Sequence, residues 1–499
     1  MKYLARLMLV IITCGVLIMS SCSGGSKPGI FSEQADIGKI SLAGNGHFNA
    51  KNNEYVISGS GENIWGTEDA FHFMYTRTSG DLVMKTKVNW PAEGKNQHRK
   101  AGWMVRAGLE ADAAYADVAV HAGDGLVSLQ YRKSKGGPTL EVKSPLTAPL
   151  AMRLEKTGSI FSLYVSQNDS DYIPVGSIVV DMSDSVYAGL FVCSHDSTVV
   201  ETAVFSNVEF SNTPAIADTN RVLESTLEIF NIETRQRRIV YSAKQHFEAP
   251  NWTKDGQSLI FNSKGLLYTI PVTGGAPAQI NTGAAVQCNN DHGLSPDGTL
   301  LAISSQHDGG KSIIYTLPAT GGDPVQVTPL APSYWHGWSP DGKTLAYCAE
   351  RNGEYDVYTI PVGGGREKRL TTAPGLDDGP EYSPDGKYIY FNSVRTGLMK
   401  IWRMRADGSQ QTQMTFGEEY GDWFAHPSPD NQWLVFVCFD KTVEGHPMNK
   451  EVVLRMMPVK GGEPEIIAHL FGGQGTINVP SWSPDSREFA FVSYRLVNP

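Results

Sequence analysis

A seven-residue phrase recurs six times in the second half of this chain. It reads Pro250-Asn251-Trp252-Thr253-Lys254-Asp255-Gly256, then His292-Gly293-Leu294-Ser295-Pro296-Asp297-Gly298. His336 to Gly342, Pro380 to Gly386, Ala425 to Asn431 and Pro480 to Ser486 follow, with starts 42, 44, 44, 45 and 55 residues apart. A period near 44 residues, with one tight turn per repeat, is that of a four-stranded propeller blade. In each repeat an apolar residue and Ser end the first strand. Pro then presets φ, Asp hydrogen-bonds its own turn and Gly accepts a positive φ. A strongly apolar second strand follows, such as Leu345-Ala346-Tyr347-Cys348 or Tyr388-Ile389-Tyr390-Phe391. A third strand carries an aromatic (Tyr315, Tyr358, Trp402), and a Gly-Gly or Asp-Gly turn leads to the fourth.

Such sheets bury their faces only against one another, so the array must close. The last repeat has only its first two strands, Pro480 to Tyr494, before the chain ends. The missing two stand before the first repeat, at Leu227 to Asn231 and Arg238 to Tyr241. Six blades are therefore expected, with the sixth assembled from both ends of the segment.

These repeats resemble those of TolB-like propellers, Ser-Pro-Asp-Gly relatives of the WD-repeat proteins. The likeness covers roughly Val222 to Tyr494. It implies a fold and leaves function open, because propellers serve as scaffolds, receptors and enzymes.

The segment from Phe31 to Asn212 lacks the 44-residue period but alternates in steps of two. Leu82, Met84, Thr86 and Val88 stand against Val83, Lys85 and Lys87. Val127, Leu129 and Tyr131 stand against Ser128, Gln130 and Arg132; Phe161, Leu163 and Val165 against Ser162, Tyr164 and Ser166. Strands of this kind bury one face, the pattern of an antiparallel sandwich. The phrases Gly59 to Gly66 and Lys100-Ala101-Gly102-Trp103-Met104-Val105-Arg106 resemble concanavalin A-like lectin/glucanase sandwiches. That resemblance implies an accessory domain of secreted carbohydrate-active proteins. The aromatics Trp65, Trp90, Trp103, Tyr115 and Tyr131 are read first as core, and the Asp124-Gly125 pair first as a hairpin turn.

The N-terminus reads as a targeting segment. Lys2 and Arg6 precede an apolar run from Leu7 to Met19, too short to span a bilayer and suited to a signal peptide. Ser20-Ser21-Cys22 and the following Ser23-Gly24-Gly25-Ser26 resemble a bacterial lipobox, which implies lipidation at Cys22. Cys14 would leave too short an apolar run. The division expected is a signal peptide over 1–21, a tether over 22–30, a sandwich over 31–212, a linker over 213–221 and a propeller over 222–499. The fold class is all-β throughout. The mature cysteines Cys193, Cys288, Cys348 and Cys438 show no CxxC spacing and read as buried free thiols. A net charge of −10 without a basic stripe argues against a nucleic-acid partner.

In a propeller the residues just before each turn converge on one mouth of the channel. Here they are polar: Asn290-Asp291-His292, Tyr334-Trp335-His336, Asp377-Asp378, Trp423 with His426, and Gln474 with Asn478. This set is the candidate ligand site. Three imidazoles and a glutamine are a donor set for one divalent Mn, Zn or Fe ion. Oligogalacturonate lyases resemble these repeats, and that likeness implies His292, His336, His426 and Gln474 as the ligands. They have seven blades, and here His426 lies one residue out of register. The other reading makes these histidines hydrogen-bonded plugs of the channel.

Two functions are compatible with the sequence. One is a glycan- or protein-binding lipoprotein module of the cell envelope, monomeric, held at the outer membrane by its lipid alone. The other is a carbohydrate-active enzyme, a metal-assisted lyase or a glycosidase acting on acidic sugars, at the same mouth.

Overall fold

The computed structural model describes residues 29–183, 185–214, 220–306 and 310–499. The signal peptide, the proposed lipidation at Cys22 and most of the 22–30 tether lie outside those residues. So does part of the linker. No helix among the described residues is long and apolar enough to cross a membrane.

The chain is all-β. Its first unit, Glu33 to Thr213, consists of two seven-stranded antiparallel sheets. Their inner faces share one core, in which Met84, Leu154 and Phe205 of one sheet meet Trp103, Leu129 and Leu190 of the other. Alternation along Asp81–Asn89 is as expected, with Leu82, Met84 and Thr86 buried.

Elsewhere the expected open face is absent. Ser128, Gln130 and Arg132 are as buried as the apolar residues between them. The reason is a small hairpin, Ile64–Trp65 with Glu68–Asp69, that folds over the outer face of the first sheet. Asp69 from that hairpin takes Arg106 at 2.7 Å and Arg132 at 2.7 and 2.8 Å, with all three side chains wholly buried. Lys100 donates to Ile64 O and Gln130 Oε1. Phe71, Phe73, Tyr115 and Phe191 form a second core under the same cover. Ser162, Tyr164 and Ser166 are likewise buried.

The second unit is a six-bladed propeller. Five blades are four-stranded sheets in chain order, beginning at Glu248–Trp252, Cys288–Leu294, Ser333–Trp338, Asp377–Tyr382 and Tyr420–Pro427. The sixth joins both ends of the unit. Glu488–Val497 pairs with Val222–Asn231, which pairs with Arg237–Ala243. Its innermost strand is reduced to a single bridge from Trp482 to Phe489.

The repeated turn has the same wiring in every blade. Ser295, Ser339, Ser383, Ser428 and Ser483 each donate to the Asp two residues on, at 2.6–2.7 Å. Each hydroxyl also accepts an N–H five residues on, as Ser295 does from Leu300 N–H at 3.0 Å. Thr253 does both in the first blade. Gly256, Gly298, Gly342 and Gly386 hold φ between 69° and 73°, where glycine costs least, and Asn431 and Ser486 adopt 59° and 64° in their place. These short bonds lower the pKa of the turn aspartates Asp297 and Asp341.

The two units touch where Ile173–Val179 of the first lies against Glu465–Gly472 of the second, and Ile160 joins the apolar cluster of Leu227 and Ile229. Arg221 grips both Asp81 oxygens at 2.7 and 2.8 Å, and Arg495 reaches Glu155 at 2.9 Å.

Candidate functional site

The innermost strand of each complete blade carries an irregularity in pairing within two to seven residues before the turn serine or its Thr253 equivalent. The bulge decides which side chains face which end of the channel. Residues five before that position (Asn290, Tyr334, Asp378) gather at one mouth, around a cavity of about 500 Å³. Residues two and one before it, including Glu381, Trp252, Trp338 and Trp482, ring the opposite mouth.

The cavity wall holds Asn289, Asn290, Asp291, Tyr334, His336, Cys348, Tyr355, Leu376, Asp378, His446 and Gln474. At its centre His336 Nε2 lies 3.2 Å from Asp378 Oδ1, which also accepts Gly379 N–H at 2.7 Å. Burial opposes charge on both, but their mutual attraction outweighs it. The His336 pKa is raised and the Asp378 pKa is pulled down to about 2. Asp291 is buried beside them and accepts from Asn289 at 2.7 Å and Asn478 at 3.1 Å. Burial, with the Asp378 charge adding to it, still pushes Asp291 up to about 6. Burial and the Asp291 charge push Glu248, in the neighbouring blade, up to about 7. Two carboxyls with raised pKa, Asp291 and, in the next blade, Glu248, thus accompany the His336–Asp378 pair.

The backbone behind His336 is strained. Phe424 holds φ at 55°, a left-handed conformation that is unfavourable for a bulky residue. Its ring lies parallel to His336 at 5.8 Å and takes the edge of His446 at 5.5 Å. His446 also meets Trp423 edge-on at 4.4 Å. It comes from the segment between Trp433–Asp440 and Lys450–Pro458, which folds back to the cavity.

Of the residues expected at this mouth, Asn290, Asp291, Tyr334, His336, Asp378 and Gln474 line the cavity. Asn478 lies behind, holding Asp291. The others do not line it. Asp377 is buried in an ion pair with Arg395 at 2.7 Å. Trp335 is core, its ring so close to Gly293 that a Cβ there would sit 2.2 Å from it. Trp423 is buried under His446.

The expected metal quartet is not gathered. His292 is wholly buried off the cavity wall, and burial pushes its pKa down to about 4. His426 has both nitrogens engaged, with Glu381 at 2.6 Å and the Ile477 carbonyl at 3.1 Å. The one-residue offset of His426 is the cause. It sits two before its serine, as Glu381 does, and so faces the other end of the channel. His426 is therefore a hydrogen-bonded channel residue. The cavity also takes in Asn289, beside Asn290, and His446, from the long insertion between Asp440 and Glu451; Cys348, Tyr355 and Leu376 are the lining residues that the sequence did not point to. Cys193, Cys288, Cys348 and Cys438 are free and buried, as expected.

Comparison with known proteins agrees with this architecture. The model of the TolB beta propeller domain matches residues 330–451. The uncharacterized protein Atu1656 of Agrobacterium fabrum is 52% identical over 273 residues, 54% of this chain and 93% of its own. The structure of a TolB-type protein from Agrobacterium tumefaciens, also 52% identical, covers 55% of this chain and 99% of its own, with a TM-score of 0.54. TolB from Acinetobacter baumannii is 17% identical, covering 62% of this chain and 76% of its own at a TM-score of 0.40.

Proposed function

From the premise that this chain belongs to the TolB β-propeller family, we propose that it is a binding module of the cell envelope. Its propeller cavity takes an uncharged, polyhydroxylated ligand such as the end of a glycan chain. The observation that carries this reading is the cavity wall. Amides from Asn289, Asn290 and Gln474, the Tyr334 and Tyr355 phenols and the Asp291 carboxyl converge on one space of about 500 Å³. Placed polar groups that converge on one space are how such pockets fix a ligand's orientation. Among the described residues lining it there is no Lys or Arg, and His336 is already paired with Asp378. Among the described residues, a uronate-rich chain would find carboxylates there and no Lys or Arg, so neutral sugars are favoured. An envelope protein presenting a polar loop is the competing ligand.

The anchor belongs to the same reading: lipid on Cys22 holds the module at the outer membrane, and the sandwich, concanavalin A-like in its sequence phrases, adds a second glycan contact. Replacing Cys22 by Ser should move the protein from the membrane to the soluble fraction. The cavity is tested by calorimetry against a panel of neutral and uronic oligosaccharides. Tyr334→Ala and Asp291→Ala should each weaken any neutral-sugar binding at least about tenfold, the loss expected from removing stacking or a charged hydrogen bond. Binding confined to uronates, or binding that both variants leave intact, sinks this reading.

A second reading rests on the split between Asp291 at about 6 and Asp378 at about 2. Below pH about 6 that split leaves one protonated and one ionised carboxyl at one site, the arrangement of a glycosidase acid and its partner. Release of reducing ends from a bound glycan, abolished by Asp291→Asn while binding persists, would establish it.

A further inference from the structure

A second set of metal-ligating side chains lies far from the propeller cavity, in the sandwich. Three neighbouring strands of its first sheet end side by side. Cys193 is paired with Lys100, and Lys100 with His121. The loops that continue from these ends bring together His195, His98 and His121, which are distant in sequence. Asp124 joins them from the hairpin after His121.

One donor atom each from His98, His121 and Asp124 lies within 4.8 Å of the others. No other trio of His, Cys, Asp or Glu among the described residues meets that condition. His121 Nδ1 is 3.6 Å from Asp124 Oδ1. Donors about 2 Å from a tetrahedral ion are themselves about 3.3 Å apart, so little movement is required to close on one. The His98 ring centre lies 5.6 Å from that of His121 and 5.8 Å from that of His195.

Two further observations separate this cluster from a chance gathering of surface groups. Neither ring nitrogen of His121 has a hydrogen-bonding partner, although both are buried. A buried polar atom without a partner is costly unless something absent from the chain satisfies it. The loops are also held in place around it. Asn96 donates to the His195 carbonyl at 2.8 Å and accepts His98 N–H at 2.9 Å. Gly123 N–H donates to the Gln97 carbonyl at 2.9 Å, and Ala122 N–H to the Arg99 carbonyl at 3.0 Å. His195 itself holds φ at 59°, an unfavourable conformation that turns it toward the group. One local feature opposes a cation, the ammonium of Lys100. It is bonded to Ile64 O and Gln130 Oε1 and lies next to the buried Asp117 carboxyl.

We propose that His98, His121 and Asp124, with His195 as the fourth donor, form a site for one divalent late first-row metal ion, zinc above all. Imidazole nitrogens with a single carboxylate suit that class and not calcium, which takes six to eight oxygens. His98 is exposed, so the ion would be reached from solvent.

The test uses the full-length chain, stripped with a chelator, re-equilibrated with zinc chloride and desalted. Elemental analysis should find close to one zinc per chain, and cobalt(II) should give the visible spectrum of a low-coordinate site. His98→Ala, in an exposed loop, should weaken zinc binding at least about tenfold. The double variant His98→Ala/His121→Ala should retain none, whereas His47→Ala, an exposed histidine of the same unit, should leave binding unchanged. Melting curves of the metal-free proteins identify any variant that fails to fold, and His98→Ala alone then decides. A wild-type chain that keeps no zinc, one that takes up calcium and not zinc, or a folded His98→Ala that binds as tightly as wild type overturns the proposal.

Discussion

The sandwich and the propeller bury their apolar residues in opposite ways. The sandwich has one continuous core between two large sheets, plus a second under the hairpin at Asp69. The propeller divides its apolar residues among several smaller clusters, each shared by neighbouring blades. No blade is stable alone, and each depends on the two beside it. Binding groups are placed differently as a result. In the propeller, one position of the repeat supplies side chains from several blades to a common cavity. In the sandwich, it is adjacent strand ends that bring unrelated loops together.

The largest expected effect follows from the closure. Deleting Pro480 to Pro499 removes Glu488–Val497 and leaves Val222–Asn231 without its inner partner. An open ring exposes apolar strand edges on both sides of the gap. The whole propeller transition should disappear from calorimetry while that of the sandwich remains. A truncated chain that keeps a cooperative propeller transition would show that the blades are more independent than this comparison holds. The counterpart in the sandwich is Asp69→Ala. Two wholly buried guanidinium groups would lose their counter-charge, a change that costs about 3–5 kcal/mol. The sandwich transition should fall by that amount and the propeller transition should stay. A loss under about 1 kcal/mol would mean that water enters beneath the hairpin.

What was legible in the sequence differs between the two units for physical reasons. The propeller repeats its turn chemistry, and its closure could be read from Leu227 and Val240 standing before the first repeat. Its site was half legible. Repeat register brings Asn290, Tyr334 and Asp378 to one cavity, but each innermost strand bulges between that position and the turn. A one-residue offset then sends a side chain to the other mouth, as with His426 and its Glu381 partner. Sequence shows the offset without its consequence. In the sandwich, alternation suggests an open polar face along Val127 to Arg132. The covering hairpin is distant in sequence, and only Asp69 facing two strand arginines hints at it. His98, His121 and His195 could not be associated without the order of the strands.

The next effect concerns the cavity and pH. Asp291 holds its proton more tightly in the folded chain than in the unfolded one, at about 6 against an ordinary 3.8. Its contribution is present below the unfolded value and is lost as pH rises through about 6. It amounts to at most about 3 kcal/mol. Glu248, shifted from 4.5 to about 7, acts with the same sign. The propeller transition should therefore rise as pH falls from 8 toward 5. Asp378 acts oppositely, and only as pH falls from 3.8 toward 2. Asp291→Asn should flatten this slope. The new amide cannot accept from both Asn289 and Asn478, which takes back about 1 kcal/mol. A net gain of about 1–2 kcal/mol at pH 8 is expected. An unchanged slope would show that Asp291 is well solvated and does not ionise near neutrality.

The smallest expected effect bears on whether the two units are energetically one. Lys133 of the sandwich pairs with Glu451 of the propeller, and the side chains are 48% and 25% exposed. An ion pair this open to water is screened, and long side chains lose entropy in forming it. Lys133→Ala should move both transitions by less than about 0.5 kcal/mol. The contact of Ile173–Val179 with Glu465–Gly472, the apolar cluster of Ile160 with Leu227 and Ile229, and the Arg221–Asp81 grip carry the interface instead. If Lys133→Ala lowered both transitions together by 1 kcal/mol or more, that pair would be part of a rigid joint, and separate unfolding of the two units would be untenable. If it moved neither while Arg221→Ala separated the transitions further, the units would be independent folds linked at a few contacts. In that case the sandwich histidine cluster and the propeller cavity can each be occupied without the other being altered.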